Sequence, residues 1–529
     1  DDLTSIGWGM DRQWGRCFRY AILALVGIIY LASLTPHWFD TSDSALYLML
    51  AENLEAGKGY TLWGYPHVHV PPGFPVLLAA LDVVGLGSHG GLNVAMLAMG
   101  LITIYVAYLA IRDLRGDEQA FLAVVTVLAF SSAMHRASVR VLSDMPFMLL
   151  VWIGLLCFGR GIKRGGYWFE CGTIALLASL WMRVVGLPLA AAAAVTLALI
   201  GLKNKQHRLT MNAAVLFVGT AATGFFFYLY QRHYTAAFDL PSYGSMVNKV
   251  GERSRFDILI RPFEQFLQTG SHFSELLTGQ PNASLGMAMG ILWIPVALGI
   301  WNGWRRREYL PLAVLVGYLG PLLVVRALLP RYLIPVAPIL ILFFLDGLRQ
   351  IIAATPGVRR FAPRVLVTFC LIMLSMNVPK CIGLIYRLQW SQAENLRGMP
   401  GEVREVAAFL HSHAGEGDLF VSPARERQLG YLSRVDSIPS AARYLETGRV
   451  DADSLKAWLE RGVVFVVNAP ENRHAKSGNR QRIREICRDN GLELVYASST
   501  YEVYSARPNE IPLTARKLDR PGAEASAAQ

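Results

Sequence analysis

Three acidic positions stand out for the chemistry their surroundings suggest. Asp40 and Asp43 lie in HWFDTSDSALYLMLAENLEAGKGY, just after an apolar run, and Asp144 lies in SVRVLSDMPF, where one apolar run meets the next. Ionisable groups at a membrane are costly and commonly functional. A carboxylate held near others gains basicity, and can then take a proton from a weak nucleophile such as a hydroxyl. Arg136, Arg140, Arg183, Arg326 and Arg331 fall in linkers on the same side of the apolar runs. A group of guanidiniums there suits an anionic ligand such as a phosphate. Plainer readings stand beside these. Asp40 or Asp43 can cap the helix whose apolar positions Leu46, Leu48, Leu50 and Leu54 follow, and spacing alone favours the cap. Ser143 or Asp144 can cap the next helix, with Pro146 in its first turn. Arginines at a membrane surface can also snorkel to headgroups. His67 and His69 stand just before Pro71-Pro72, a loop spacing that fits polar or phosphate contacts better than a metal pair.

The elements that carry these residues are apolar. Of 529 residues, 53% are hydrophobic and 17% charged, against about 25% charged in soluble chains. Mean hydropathy is +0.34 although the chain turns polar after residue 390. Eleven runs approach the ~20 residues a spanning helix needs: 17–35, 92–111, 119–136, 145–160, 168–182, 186–202, 211–230, 285–303, 309–326, 332–349 and 364–386. The net charge of +11 is concentrated in short clusters between them, at Arg112 and Arg115, Arg160 to Arg164, Lys203 to Arg208, Arg305 to Arg307, and Arg359 and Arg360. With the N-terminus cytoplasmic, all these clusters fall inside, as the positive-inside rule requires. The loops 36–91 and 231–284 and everything after 387 then fall outside. Residues 72–87 are apolar but short, open with prolines and carry Asp82. They read as an interfacial or re-entrant helix, since counting them as a span would break the charge pattern. This distribution argues against nucleic acid as a partner. The first run, Cys17–Thr35, lacks a cleavage site and reads as a retained anchor. Asp346, near the inner end of the tenth run, is expected to pair with Arg349 or reach the interface.

The polar part, 390–507, alternates helix patterns (Val403–His411, 439–447, 453–461, 478–489) with short β-rich runs (Leu419–Ser422, Val463–Asn468, Leu492–Ala497, Tyr501–Ser505). That alternation predicts a small α/β layer fold with no Gly-rich phosphate loop. Of six cysteines, only Cys487 lies well inside it, so it carries no disulfide of its own. The predicted organisation is an α-helical polytopic membrane domain over 1–389, an external α/β domain over 390–507 and a disordered tail over 508–529.

The first acidic loop, YLMLAENLEAGKGY and then PPGFPVLLAAL resemble the GT-C glycosyltransferases, in the branch of bacterial protein O-mannosyltransferases and lipid A aminoarabinose transferases. SDMPF, MRVVGLPLA and RYLIPVAP resemble further stretches of that family, so the likeness covers roughly residues 15–390. It implies a GT-C-like fold in the plasma (inner) membrane, with the C-terminal domain periplasmic or external. It implies transfer of a sugar, with inversion, from a polyprenyl-phosphate or diphosphate donor to a protein, lipid or glycan acceptor. Asp43 matches the catalytic base, with Asp40 as fallback, and Asp144 the second-loop acid. Arg183 and Arg331 match positions beside the lipid phosphate. Arg140, His69 and, from the long external loop, Arg253 and Arg255 are further candidates for that contact. A divalent cation stays open, with Asp43 and Asp144 as its ligands. One departure matters: aminoarabinose transferases carry a Lys directly before Pro-Pro, and Val70 stands here, which argues against that sugar. Two other classes remain: a membrane scaffold whose external domain binds a partner, and a transporter or flippase. The sequence shows neither the internal repeats nor the broken helices common in the latter.

Overall fold

The computed structural model describes residues 12–38, 41–238, 255–279, 291–323, 330–355, 361–389, 401–422, 426–437, 452–468, 479–498, 500–511 and 517–518. The helices of the first half are α1 (Arg12–Leu31), α2 (Ser42–Glu55), α3 (Gly73–Val83), α4 (His89–Arg115), α5 (Asp117–Leu128), α6 (Ser132–Ser138), α7 (Asp144–Arg164), α8 (Trp168–Met182), α9 (Gly186–Lys203) and α10 (His207–Phe238). There follow α11 (Arg255–Thr278), α12 (Trp293–Arg305), α13 (Tyr309–Leu322), α14 (Ala337–Ala354) after a 3-10 turn at Pro330–Val336, and α15 (Ala362–Gln389). The chain divides into two compact units, one of residues 1–38, 68–232 and 242–390, the other of residues 39–67, 233–241 and 391–529.

The first unit is a helical membrane bundle. Within hydrocarbon each backbone N–H and C=O needs a partner in its own segment, and only helices supply this to a single run. Among the described residues a helix overlaps each of the eleven expected apolar runs, though not each is long enough to span. Among the described residues, six are long and apolar enough to cross a membrane alone: α4, α7, α9, α10, Arg331–Ala354 and Arg364–Gln389. The bent pair α5 and α6 would make a seventh. Shorter apolar helices stand at Cys17–Leu31, Trp168–Met182, Tyr309–Leu322 and, for the segment expected not to span, Gly73–Val83. Phe217, Val218, Phe225, Phe226 and Tyr228 of α10 are exposed, as a lipid-facing surface would be.

Helices α12 and α14 meet backbone to backbone. A Cβ at Gly299 would lie 1.9 Å from the Phe343 carbonyl oxygen, and one at Gly347 1.8 Å from that of Pro295. Small residues of this kind let apolar helices gain dispersion contact without a hydrophobic driving force.

The segment expected as one span over 119–136 is broken. Helix α5 passes into π-helical turns at Phe121–Leu128, stops, and resumes as α6 with a bend of 71°. No Pro or Gly marks the break, so no local residue accounts for it. The opened backbone is satisfied from elsewhere in the bundle. The Asn377 Oδ1 accepts the Ser132 N–H at 3.1 Å, while its Nδ2 donates to the Leu277 carbonyl at 2.6 Å. Cys381 Sγ donates to the Phe130 carbonyl at 3.4 Å.

One end of the bundle is held by charge. Arg115 donates to Glu308 at 2.7 Å and to Asp346 at 3.4 Å, and all three side chains are buried. Arg306 lies 3.5 Å from the other Asp346 oxygen, and Asn302 donates to Asp346 at 3.3 Å. Asp346 thus has Arg115 and Arg306, on neighbouring helix ends, as partners beyond the local Arg349 that the sequence suggested. Arg160 donates to Asp113 at 2.9 Å at the same ends of α7 and α4. Since α7 runs from Asp144 to Arg164 over 21 residues, about 30 Å of helix separates this basic end from Asp144.

The second unit holds a six-stranded sheet and the helix α2. Its further helices are α16 (Gly401–His413), α17 (Glu426–Ser433), α18 (Ala452–Glu460) and α19 (Asn479–Asp489). A short hairpin pairs β1 (Thr61–Leu62) with β2 (Tyr65–Pro66). The sheet comprises β3 (Leu419–Val421), β4 (Asp436–Ser437), β5 (Val463–Asn468), β6 (Glu493–Ala497), β7 (Glu502–Ser505) and β8 (Lys517–Leu518), in the order β4-β3-β5-β7-β6-β8. Strands β4, β3 and β5 are parallel, β7 is antiparallel to β5 and β6, and β8 runs parallel to β6. All six residues of β5 are buried, as a central strand covered on both faces requires. Val466 of that strand packs with Leu455 and Trp458 of α18 and with Ile483 and Cys487 of α19. The predicted helix at 439–447 lies outside the described residues; α17 was not foreseen. Strand β8 falls in the segment expected to be a structureless tail.

Replacing Asn377 by Ala should leave the Ser132 N–H and the Leu277 carbonyl unpaired in the bundle interior. Each buried orphan costs about 1–3 kcal/mol. The variant should unfold measurably earlier than wild type in a lipid–detergent titration, and equal midpoints would show the break to be satisfied some other way.

Candidate active site

The acid of the second loop is held by its helix. Asp144 is the first residue of α7, after Ser143, and is 1% exposed. Ser143 makes no side-chain capping bond, and the positive end of the α7 dipole lies beside the carboxylate. Arg183 ends α8 in an extended conformation and turns its guanidinium back to this point. Its Nη1 lies 2.8 Å from the Asp144 Oδ1 and 3.4 Å from the Ser143 Oγ. Neither Asp144 oxygen makes a geometrically sound hydrogen bond among the described residues, so the contact is an ion pair with spare accepting capacity.

A second guanidinium joins this pair through an aromatic ring. The Arg183 and Arg331 guanidinium carbons lie 5.5 and 5.4 Å from the centre of the Tyr332 ring, distances at which a cation is drawn to a π face. Tyr318 of α13 approaches from the interior. It is fully buried, stacks on Phe147 of α7 at 6.1 Å, and feels the charges of Arg183 and Asp144. Its hydroxyl makes no hydrogen bond among the described residues. Two cations, one anion and a spare hydroxyl make a net positive site, suited to an anion with several oxygens.

Arg140 is half-buried in the turn ahead of Ser143. Arg136 is paired with Glu275 at 2.9 Å and so serves the contact between α6 and α11. His69 is half-buried. His67, by contrast, belongs to the second unit, where its ring meets Tyr60 edge-on at 5.7 Å. Arg255 opens α11. Asp40, Arg253 and Arg326 lie outside the described residues.

Asp43 belongs to the second unit, on the first turn of α2. It does not cap that helix, contrary to what spacing favoured. Thr41 is the cap: its hydroxyl accepts the Ser44 N–H at 3.0 Å, and the Ser44 hydroxyl receives the Thr41 N–H at 3.0 Å. This reciprocal box satisfies the helix start without a carboxylate, leaving Asp43 half-exposed with Arg427 Nη1 at 3.5 Å. The box is legible in TSDS, where a hydroxyl stands three residues ahead of another, the spacing of a reciprocal cap. Tyr332, Tyr318 and Arg427 were missed as well. Tyr318 sits in an unbroken apolar run and carries no local signal. Among the described residues no group of three or more His, Cys, Asp or Glu side chains converges as a metal site.

The sequence matches no protein-family model and no curated protein. The fold matches solved structures. ArnT from Cupriavidus metallidurans, a lipid A aminoarabinose transferase, superposes in its undecaprenyl-phosphate-bound form with a TM-score of 0.60 at 15% identity, over 92% of this chain and 98% of that one. Its apo form gives 0.61 at 15% identity, over 94% and 99%. The Archaeoglobus fulgidus oligosaccharyltransferase AglB, solved with an inhibitory peptide and a dolichol-phosphate, gives 0.56 at 11% identity, over 94% and 75%. At 11–15% identity the likeness is one of fold alone, a helical membrane bundle with a C-terminal sheet domain.

Removing Arg183 should strand Asp144 as a buried lone charge. Arg183→Met should cost about 3 kcal/mol of stability, the lower end for breaking a buried pair from one side. Adding Asp144→Asn should recover most of that loss. Unfolding of wild type, single and double variants in the same bicelles reads this out, and additive losses would mean that the two residues do not act as a pair.

Proposed function

We propose that this protein is a glycosyltransferase that moves a sugar from a polyprenyl-phosphate-linked donor to an acceptor at the external face of the plasma membrane. The observation that carries the reading is the Asp144–Arg183–Tyr332–Arg331 group: half-buried positive charge at the end of the bundle remote from the basic clusters, on a fold shared with proteins solved with undecaprenyl phosphate and dolichol-phosphate. In this reading Arg183 and Arg331 meet the donor phosphate, and Tyr318 and Arg140 lie near it. Asp144 orients Arg183 toward the headgroup. His69, Arg253 and Arg255 are further candidates for the lipid contact.

The chemistry then needs little else. The acceptor oxygen bonds to the anomeric carbon from the face opposite the phosphate, inverting that centre. The bond from carbon to phosphate oxygen breaks, and its electron pair leaves with the polyprenyl phosphate. No general acid is required, because the leaving group is already an anion of low basicity, and fixed guanidiniums stabilise the charge it gains. Asp43, relieved of capping by Thr41, takes the acceptor proton; Asp40 is the fallback base. A divalent cation at Asp43 or Asp144 remains part of the proposal to be tested. Val70, in place of the Lys before Pro-Pro, speaks against aminoarabinose as the sugar.

One observation favours a second reading. The 71° break between α5 and α6 is the kind of discontinuity that lipid-linked sugar transporters use. The backbone groups it frees at Ser132 and Phe130 are bonded to Asn377 and Cys381 within the bundle, which favours the transferase.

Purified protein in lipid, given a mixed pool of polyprenyl-phosphate sugars and candidate acceptors, should consume one donor and release polyprenyl phosphate. Asp43→Asn should bind that donor while losing turnover by about a hundredfold, within the range for a missing general base. Unchanged turnover in the variant would move the base to Asp40. Movement of intact donor across vesicle bilayers without consumption would favour the transporter.

A further inference from the structure

In the second unit, α17 touches the first-loop segment at three points. Near its start, Arg427 lies 3.5 Å from Asp43, on the first turn of α2. Just past its end, Arg434 is bonded to Glu52, near the last turn of α2. Between them, Gly430 faces the indole of Trp63 so closely that a Cβ there would lie 3.2 Å from its Nε1. Start meets start and end meets end, so α2 and α17 run side by side in the same direction. Arg434 is fixed further: its guanidinium lies 4.9 Å from the centre of the Tyr431 ring, itself buried. Its backbone holds a left-handed conformation, φ 61°, that a side chain adopts only where its surroundings demand it.

These contacts point to a role for the C-terminal domain. We propose that α17 is a clamp that sets the position of α2, and that Arg427 is a positioning residue for transfer, acting through Asp43. The inference rests on the proposed transferase reading in taking Asp43 as the base. A carboxylate on a first helical turn can swing with its rotamers, and a misplacement of 1 Å can cost a hundredfold in rate. A guanidinium 3.5 Å away limits that swing without the full bidentate contact that would consume the carboxylate. The Glu52–Arg434 contact, nine residues further along the chain, holds the far end of the same helix and so fixes its axis. The plainer account is that both are half-exposed surface pairs of little consequence. It leaves unexplained why Trp63 packs against the one residue of α17 without a side chain.

Two measurements on the full chain in lipid separate these accounts. The first, hydrogen exchange, does not depend on activity. Arg427→Ala with Arg434→Ala should speed exchange across 42–55 about fivefold, the factor two half-exposed pairs together supply, while β5 keeps its protection. The exchanged pair Glu52→Arg with Arg434→Glu, made alone, should retain wild-type protection. Unchanged exchange in the double alanine variant overturns the clamp whatever the enzyme does. The second is turnover of the donor that wild type consumes. Arg427→Ala should lower kcat about tenfold with KM for the donor unaltered, and Arg427→Lys should recover most of it. A rise in donor KM at constant kcat, or no effect, overturns the positioning role. A wild type inert on every donor would count against the transferase reading alone, and the exchange result would still decide the clamp.

Discussion

A carboxylate 1% exposed at the end of an apolar helix is among the most expensive groups a membrane protein can carry. Asp144 is tolerable there because Arg183 stands 2.8 Å away and because the α7 dipole points its positive end at the same spot. That single contact joins the start of α7 to the end of α8 and fixes where the Arg183 guanidinium can reach. The Tyr332 ring then gathers Arg331 to the same place. Much of the bundle can be seen as support for this arrangement: the close crossing of α12 and α14, and the buried Arg115–Glu308–Asp346 cluster at the opposite end, hold the helices whose other termini carry the site.

How much of this was legible depends on the kind of force involved. The apolar helices follow from runs of apolar residues, because desolvation acts on every residue of a run and the signal accumulates. Strands Val463–Asn468 and Leu419–Val421 were legible for the same reason, being uninterrupted β-branched and aromatic stretches. Asp144 and Arg183 could be named because charge is rare next to such runs, but their pairing could not be read, since it joins side chains 39 positions apart. Tyr318 and Tyr332 stayed hidden because an aromatic residue in an apolar run has an ordinary explanation as packing or as an interfacial anchor.

The two misreadings are equally physical. Asp43 looked like a cap because carboxylates are good caps, yet a hydroxyl two positions earlier took that role through a reciprocal bond with Ser44. Local preference ranks candidates without saying which of two neighbours wins. The break before α6 was invisible for the opposite reason. Nothing local causes it: no proline and no glycine interrupts Phe121–Ser131, and the partner that makes it affordable is Asn377, far along the chain. Helix α17, eight residues of mostly polar sequence, likewise draws its stability from what it packs against.

The remoteness of Asn377 has a consequence for biogenesis. Its bond to the Ser132 N–H spans 245 residues, and a ribosome adding about 5–20 residues per second needs roughly 12–50 s to make that length. Over that interval the segment from Asp117 to Ser138 has already left the ribosome, but the side chain that satisfies its interruption does not yet exist. The segment must therefore wait, either as a straight helix that bends later or sheltered from lipid by the insertion machinery. Its final shape is settled only when α15 arrives. The order of assembly is in this respect written at the C-terminal end of the bundle, and a truncation before residue 377 would leave the Ser132 N–H without this partner.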